Sequence, residues 1–280
     1  MTNITPFQLF YRAVQARTYP RIAWMYRHKT WIFQETLLPI LSVSALAFVY
    51  EWMQAPREYV GMVILGAAMT AFWMNVLWSM GGQLYWERDS GNLELYIMSP
   101  APMMSILTGM ALGGMVMTLV RAIAICTAGM VLFDVAFAPS SWWLLALVFA
   151  LTMSALYGLG AMFSSLFLLW GREAWHTVNL LQEPVYLATG INFPLSALEK
   201  ITSWIVPGIA LLIPLTAGMD AMRQILFEKQ EPKFVPFLPL EWEIALLAIL
   251  SAIFLFFARR TLAMLERKAK EQGTITVKWK

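Results

Sequence analysis

Side chains able to do chemistry are few in this sequence, and their spacing is wrong for most of it. There are two histidines, His28 and His176, in different segments, and one cysteine, Cys126. No HExxH pair and no Cys/His cluster occurs, so no resident catalytic metal or iron–sulfur centre is expected. One cysteine also makes no internal disulfide. The three aspartates, Asp89, Asp134 and Asp220, lie too far apart to chelate a diphosphate between them. The dipeptide Gly-Lys never occurs, so no P-loop is present to cradle nucleotide phosphates. The chain is read as a non-enzyme.

The elements that carry these residues are apolar. The 280 residues are 59% hydrophobic and 13% charged, with mean hydropathy +0.62. Soluble chains carry roughly 25% charged residues, so this composition excludes an ordinary soluble domain. A bilayer core about 30 Å thick takes roughly 20 apolar residues per helix. Six runs are expected to cross: about Trp31–Tyr50, Val60–Leu84, Met103–Phe133, Trp142–Trp170, the more polar Ala174–Thr189, and Ile244–Ala258. Placing the N-terminus in the cytoplasm puts fourteen of the twenty Lys and Arg residues inside, so both termini are expected there. The fold class is therefore an all-α polytopic membrane protein in a cell membrane. Residues 1–30 form a cytoplasmic segment, 31–258 the membrane domain, and 259–280 a basic cytoplasmic tail. Met1 to Thr30 does not read as a cleavable signal.

Within the first thirty residues, Phe7, Phe10, Tyr11 and Val14 recur at helical spacing, with Arg12 and Arg17 off the stripe. Such a helix either lies in the membrane interface with its arginines at anionic headgroups, or packs on its own protein. Residues 190–243 hold six prolines and apolar stretches too short to cross. They are expected as external re-entrant helices, roughly Ser196–Val206 and Ile209–Phe227, the alternative being a folded surface loop. Between the second and third crossings, residues 85–102 form a polar cytoplasmic loop. There Ser90 or Asn92 can cap a short helix that Pro100 ends. That helix would expose either Leu93 and Tyr96 or Leu95 and Met98. Gly109, Gly113 and Gly114 permit close helix approach. Arg121 lies inside the third crossing, and Glu183 is its possible partner within the fifth.

Two motifs resemble those of the ABC-2 permeases, the membrane subunits of type-2 ABC exporters. The first is Glu87-Arg88-Asp89-Ser90-Gly91-Asn92-Leu93-Glu94 with Ser99-Pro100, similar to E-R-E-x-G-T-L-E … S-P. Asn92 departs from the usual Thr. The second runs through Gly190, Phe193-Pro194, Pro207, Pro214-Leu215-Thr216 and Ala221-Met222-Arg223. Glu199 departs there from a common proline. Ser79-Met80-Gly81-Gly82-Gln83 imitates the ATP-binding-cassette signature, but with no Walker motif in the chain it reads as coincidence.

The resemblance implies a dimer, with a second copy or a homologous permease, each subunit docked to a cytoplasmic ATPase. ATP and Mg would be bound in that partner, and no cofactor by this chain. Glu87, Arg88, Asp89, Gly91, Asn92, Leu93, Glu94, Tyr96, Ser99 and Pro100 match the coupling helix, with Glu87 and Arg88 expected to ion-pair to the N-terminal helix. Arg172 and Glu173 would make a smaller second contact. The path is expected where two subunits meet. Phe72, Trp73, Asn75 and Trp78 of the second crossing would line it, with Asn179, Gln182, Glu183 and Tyr186 of the fifth, kinked at Pro184. Thirteen Trp and 17 Phe fit a lipid-like, glycan-linked or hydrophobic cargo, and equally fit interfacial belts in contact with membrane lipids. No nucleic-acid partner is expected. An ion-coupled secondary transporter using Glu183 and Arg121, or a membrane-embedded transferase, are the alternatives.

Overall fold

The structure is a computed structural model and describes residues 5–170, 173–228 and 234–272. Among the described residues all regular structure is helical. Helices α1 (Pro6–Arg27) and α2 (Lys29–Trp52) meet at His28. Helix α3 (Arg57–Met74) continues through a π turn (Asn75–Gly81) into α4 (Gln83–Asp89), and α5 (Asn92–Met98) follows. Helices α6 (Met103–Phe133) and α7 (Trp142–Trp170) are long, while α8 (Glu173–Ala188), α9 (Leu195–Thr202), α10 (Ile205–Ala210) and α11 (Pro214–Phe227) are shorter. Helix α12 (Leu240–Gln272) closes the described chain. Gly171 and Arg172, residues 229–233 and the last eight residues of the basic tail lie outside the described residues, as does the Pro184 side chain.

Among the described residues, five helical stretches are long and apolar enough to cross a bilayer: Ile32–Trp52, Arg57–Asp89, Met103–Phe133, Trp142–Phe167 and Leu240–Lys268. The fifth expected crossing is not one of them, because the 16 residues of α8 rise only about 24 Å. Helix α8 nonetheless runs antiparallel along α3. Its Trp175 stacks on Trp78, Gln182 meets Trp78, Tyr186 meets Met74, and the turn after it reaches Gly66.

Apolar packing sets which helix is central. The α3–α4 stretch is 78% buried across its apolar window and α2 only 6%, so α3 is the subunit's axis and α2 its periphery. Helices α7 and α12 run side by side in the same direction. Ser251 Oγ donates to the Leu151 carbonyl, and Gly158 lies against Phe254 and Leu255.

Helix α1 sits on α6 at Gly109 and Gly113, where added Cβ atoms would lie 2.8 Å from the Cβ atoms of Arg17 and Arg21. That small-residue pair lets the backbones approach closely. Of the two arrangements expected for this helix, the contact with α6 is the packed one. Val14 is buried on α6 while Phe7 and Tyr11 are exposed. Arg17 turns inward to Glu87 while Arg12 is exposed, and Arg21, one turn on, bonds to Met110 and Ser79.

Candidate functional site

Glu87 organises the turn between α4 and α5. It lies in the last turn of α4, is 8% exposed, and each carboxylate oxygen accepts two hydrogen bonds. Oε1 takes Arg17 Nη2 at 2.7 Å and Gln83 Nε2 at 2.9 Å. Oε2 takes the Tyr96 hydroxyl at 2.8 Å and Asn92 Nδ2 at 3.0 Å. Arg17 also lies 4.7 Å over the Tyr96 ring. Burial, and then the bond to Glu87, raise the Tyr96 phenol above its ordinary value, so it stays a donor at neutral pH. One carboxylate thus fastens α1, α4 and α5 together.

The turn between α4 and α5 is built differently from expectation. Neither Ser90 nor Asn92 caps α5. Gly91 is the N-cap residue, in left-handed backbone at φ 80° that glycine adopts without strain. That frees Asn92 to reach back to Glu87, while the Ser90 hydroxyl donates to the Trp86 carbonyl at 2.8 Å. Helix α5 buries Leu93 and exposes Leu95 (61%) and Met98 (74%). Asp89, Glu94 and Pro100 are exposed, and Ser99 Oγ accepts from the Ala101 amide. Arg88 lies 5.3 Å over the Tyr85 ring. Glu173 is exposed at the start of α8.

The residues expected along a path separate into three places. Phe72 and Trp73 pack in the core at 1% and 2% exposure. Asn75 and Trp78 line a cavity within the subunit. Asn179 and Glu183 are exposed on α8. Trp78 Nε1 donates to Gln182 Oε1 at 3.1 Å, and the Tyr186 hydroxyl lies 3.0 Å from the Met74 sulfur. Trp175 packs between Trp78, Trp86 and Phe167 and against Gly82, where a Cβ would lie 2.9 Å from its ring. The stretch Ser79–Gln83 therefore has structural work. Ser79 accepts from Arg21, Gly82 seats Trp175, and Gln83 holds Glu87. Arg121 pairs with Glu35 of α2 and not with Glu183. The two face each other across adjacent helices, whereas Glu183 points off the exposed face of α8.

At the opposite end, Arg223 of α11 is fully buried and gathers four carbonyls. Nη1 donates to the Gly190 carbonyl at 2.7 Å and that of Phe193 at 3.3 Å. Nη2 donates to Ile191 at 3.0 Å and Met62 at 3.2 Å. Gly190, at φ 67°, turns the chain so that these carbonyls converge. Burial pulls the guanidinium down to about 10, opposed by Asp220, so it remains a cation at neutral pH. Pro194 precedes α9, Pro207 is buried in α10, and Pro214 opens α11 where a missing N–H costs nothing. These short helices form a cap, in which Arg223 takes up the carbonyls of Gly190, Ile191 and Phe193. Asp220 accepts from the Phe237 amide at 3.1 Å, and Gln224 donates to Glu243 and to the Leu238 carbonyl. Burial raises the Asp220 carboxyl above its ordinary value.

Gly66 tests this arrangement. A Cβ there would stand 2.0 Å from the Ile191 carbonyl oxygen, the same atom that Arg223 holds. Because the obstacle is backbone, Gly66→Ala is expected to cost about 1–3 kcal/mol. Thermal unfolding of the purified variant checks it, and an unchanged midpoint would show that the 189–194 turn moves freely.

Arg21, Gln83, Glu35, Asp220, Gln224 and Glu243 escaped the motif reading. One was within reach: Glu35 is the sole carboxylate in the first expected crossing, and Arg121 needed a partner. No curated protein matches the chain. A family model described as ABC-2 type transporter matches residues 12–227. That range begins in α1 and ends with α11, so it takes in both the Glu87 cluster and the Arg223 cap.

Proposed function

The chain belongs to the ABC-2 type transporter family, and from that premise we propose that it is the permease of an ATP-driven exporter. ATP and Mg are held by a separate cytoplasmic ATPase, and the cargo is lipid-like, glycan-linked or hydrophobic. Both termini face the cytoplasm. Helix α8 with the turn after it makes a sixth crossing, and the α9–α11 cap stands outside. The antiparallel run of α8 along α3 favours this topology. Two subunits meet through faces that include Asn179 and Glu183, exposed in the single chain. Arg172 and Glu173 make a second, smaller ATPase contact.

One observation carries the coupling role. Helix α5 presents Leu95 and Met98 outward while its root, through Tyr96 and Asn92, is fixed to Glu87 and so to α1. A force applied at the exposed tip reaches the membrane helices only because the root does not yield. The exposed apolar pair gives a soluble ATPase something to grip, and Glu94 and Asp89 beside it supply a charged rim.

Co-expression with the ATPase tests the reading. Replacing Leu95 and Met98 together with Asp is expected to cut recovery of ATPase with the permease at least tenfold, leaving the permease's own thermal stability within about 0.5 kcal/mol, as for exposed positions generally. Full recovery of the ATPase with the double variant would overturn the docking role of α5.

A further inference from the structure

A half-open cavity of about 890 Å³ lies inside the subunit, walled by α1, α2, α3 with its π turn, α4 at Trp86, and α6. It falls at the upper end of the roughly 300–1,000 Å³ range of small-molecule sites. Its wall is largely carbon, with Trp24, Trp78 and Trp86 facing in along with Met74 and Met117. Three charged residues line it: Arg21, Glu35 and Arg121. Arg121 and Glu35 are paired to each other and cancel.

Arg21 is left as the net charge. Its Nη1 donates to the Met110 carbonyl at 3.0 Å and its Nη2 to the Ser79 hydroxyl at 2.5 Å, both neutral acceptors. The carboxylate that acts on it at longer range, Glu87, already holds Arg17, Gln83, Asn92 and Tyr96. Two bonds leave guanidinium donors to spare. A cation partly out of water, beside apolar walls, attracts an anion far more strongly than it would in solvent. The neighbouring helix α2 is apolar and almost wholly uncovered in the subunit, so the cavity stands next to a lipid-facing surface.

We propose that this cavity binds an anionic phospholipid of the bilayer, its phosphate on Arg21 and part of an acyl chain against the tryptophans and methionines. The site is distinct from a path between two subunits, and it requires only that the chain sits in a membrane. A bound lipid would wedge α1 and α2 against α3 at the level of the π turn, directly beside the Glu87 cluster.

Native mass spectrometry of delipidated protein titrated with phosphatidylglycerol or phosphatidylcholine reads the site. The unaltered protein is expected to bind one phosphatidylglycerol per chain at least tenfold more tightly than phosphatidylcholine. R21Q is expected to reduce that preference at least fivefold, whereas R267Q, in the exposed tail, leaves it unchanged. Should R21Q fail to fold, Ala67→Phe fills the cavity from α3 with Arg21 intact and is expected to abolish the tight adduct. Equal binding of the two lipids by the unaltered protein would overturn the proposal. So would an unchanged preference in both cavity variants. Glycerol phosphate binding as tightly as phosphatidylglycerol would also overturn it, since the apolar wall would then contribute nothing.

Discussion

Replacing Arg223 with alanine is expected to be the most damaging single substitution in this protein. The guanidinium satisfies carbonyls of Gly190, Ile191, Phe193 and Met62, and it is fully buried while doing so. Residues 189–194 are not helical, so their carbonyls have no partner within their own segment. Without water to replace the cation, orphaned carbonyls in apolar surroundings each cost free energy. Hydrogen bonds to a charged donor contribute about 1.5–3 kcal/mol apiece, without simple additivity. Arg223→Ala is therefore expected to lose about 3–5 kcal/mol, a fall of roughly 10 °C in the unfolding midpoint. Arg223→Lys is expected to recover less than half of that, because an ammonium on a shorter reach cannot face four carbonyls as the planar fork does. A midpoint within 2 °C of the parent, measured in detergent or nanodiscs, would falsify the clamp.

Glu87→Gln is expected to have the second-largest effect, and its signature is functional as well as structural. All four bonds to Glu87 come from donors, and one of those donors is a guanidinium. An amide offers one oxygen and one NH2, so two of the four donors would face another donor. The substitution also removes the charge opposite Arg17, a pair whose side chains are only 29% and 10% exposed. A stability loss of about 2–3 kcal/mol follows. On the coupling role proposed for α5, the loosened root should let a partner ATPase turn over without moving cargo. Transport per ATP is expected to fall about tenfold, the consequence of roughly 1.4 kcal/mol lost from the coupled step. Combining Glu87→Gln with Arg17→Gln separates the pair energy from the rest. If the two effects simply add, Arg17 is not the partner that matters.

These two residues were legible in the sequence to different depths. Glu87 stands in a motif, and its ion pair to the N-terminal helix was expected; Arg17 forms that pair. Arg223 was legible as a motif position and as nothing more, because an arginine's acceptors are carbonyls, and every residue has one. The caps proposed for α5 failed for a related reason. Ser90 and Asn92 are good caps by type, yet Asn92 is drawn to Glu87, and the left-handed Gly91 makes that reach possible. The N-terminal stripe was visible, but whether Arg17 met headgroups or protein depended on a glycine, Gly109, about ninety residues away.

Composition and the lengths of apolar runs determined, by themselves, that this is a multi-pass helical membrane protein, and two short motifs determined its family. Those properties are local: a run is long enough or it is not, and the desolvation of a helix in lipid depends on its own residues. Only the tertiary structure decided which polar groups meet. Arg121 chose Glu35 over Glu183, Phe72 and Trp73 entered the core while Asn75 and Trp78 faced a cavity, and Asp220, Gln224 and Glu243 came together at the cap. Pairing energies depend on distance and burial, and those quantities exist only after the helices have packed.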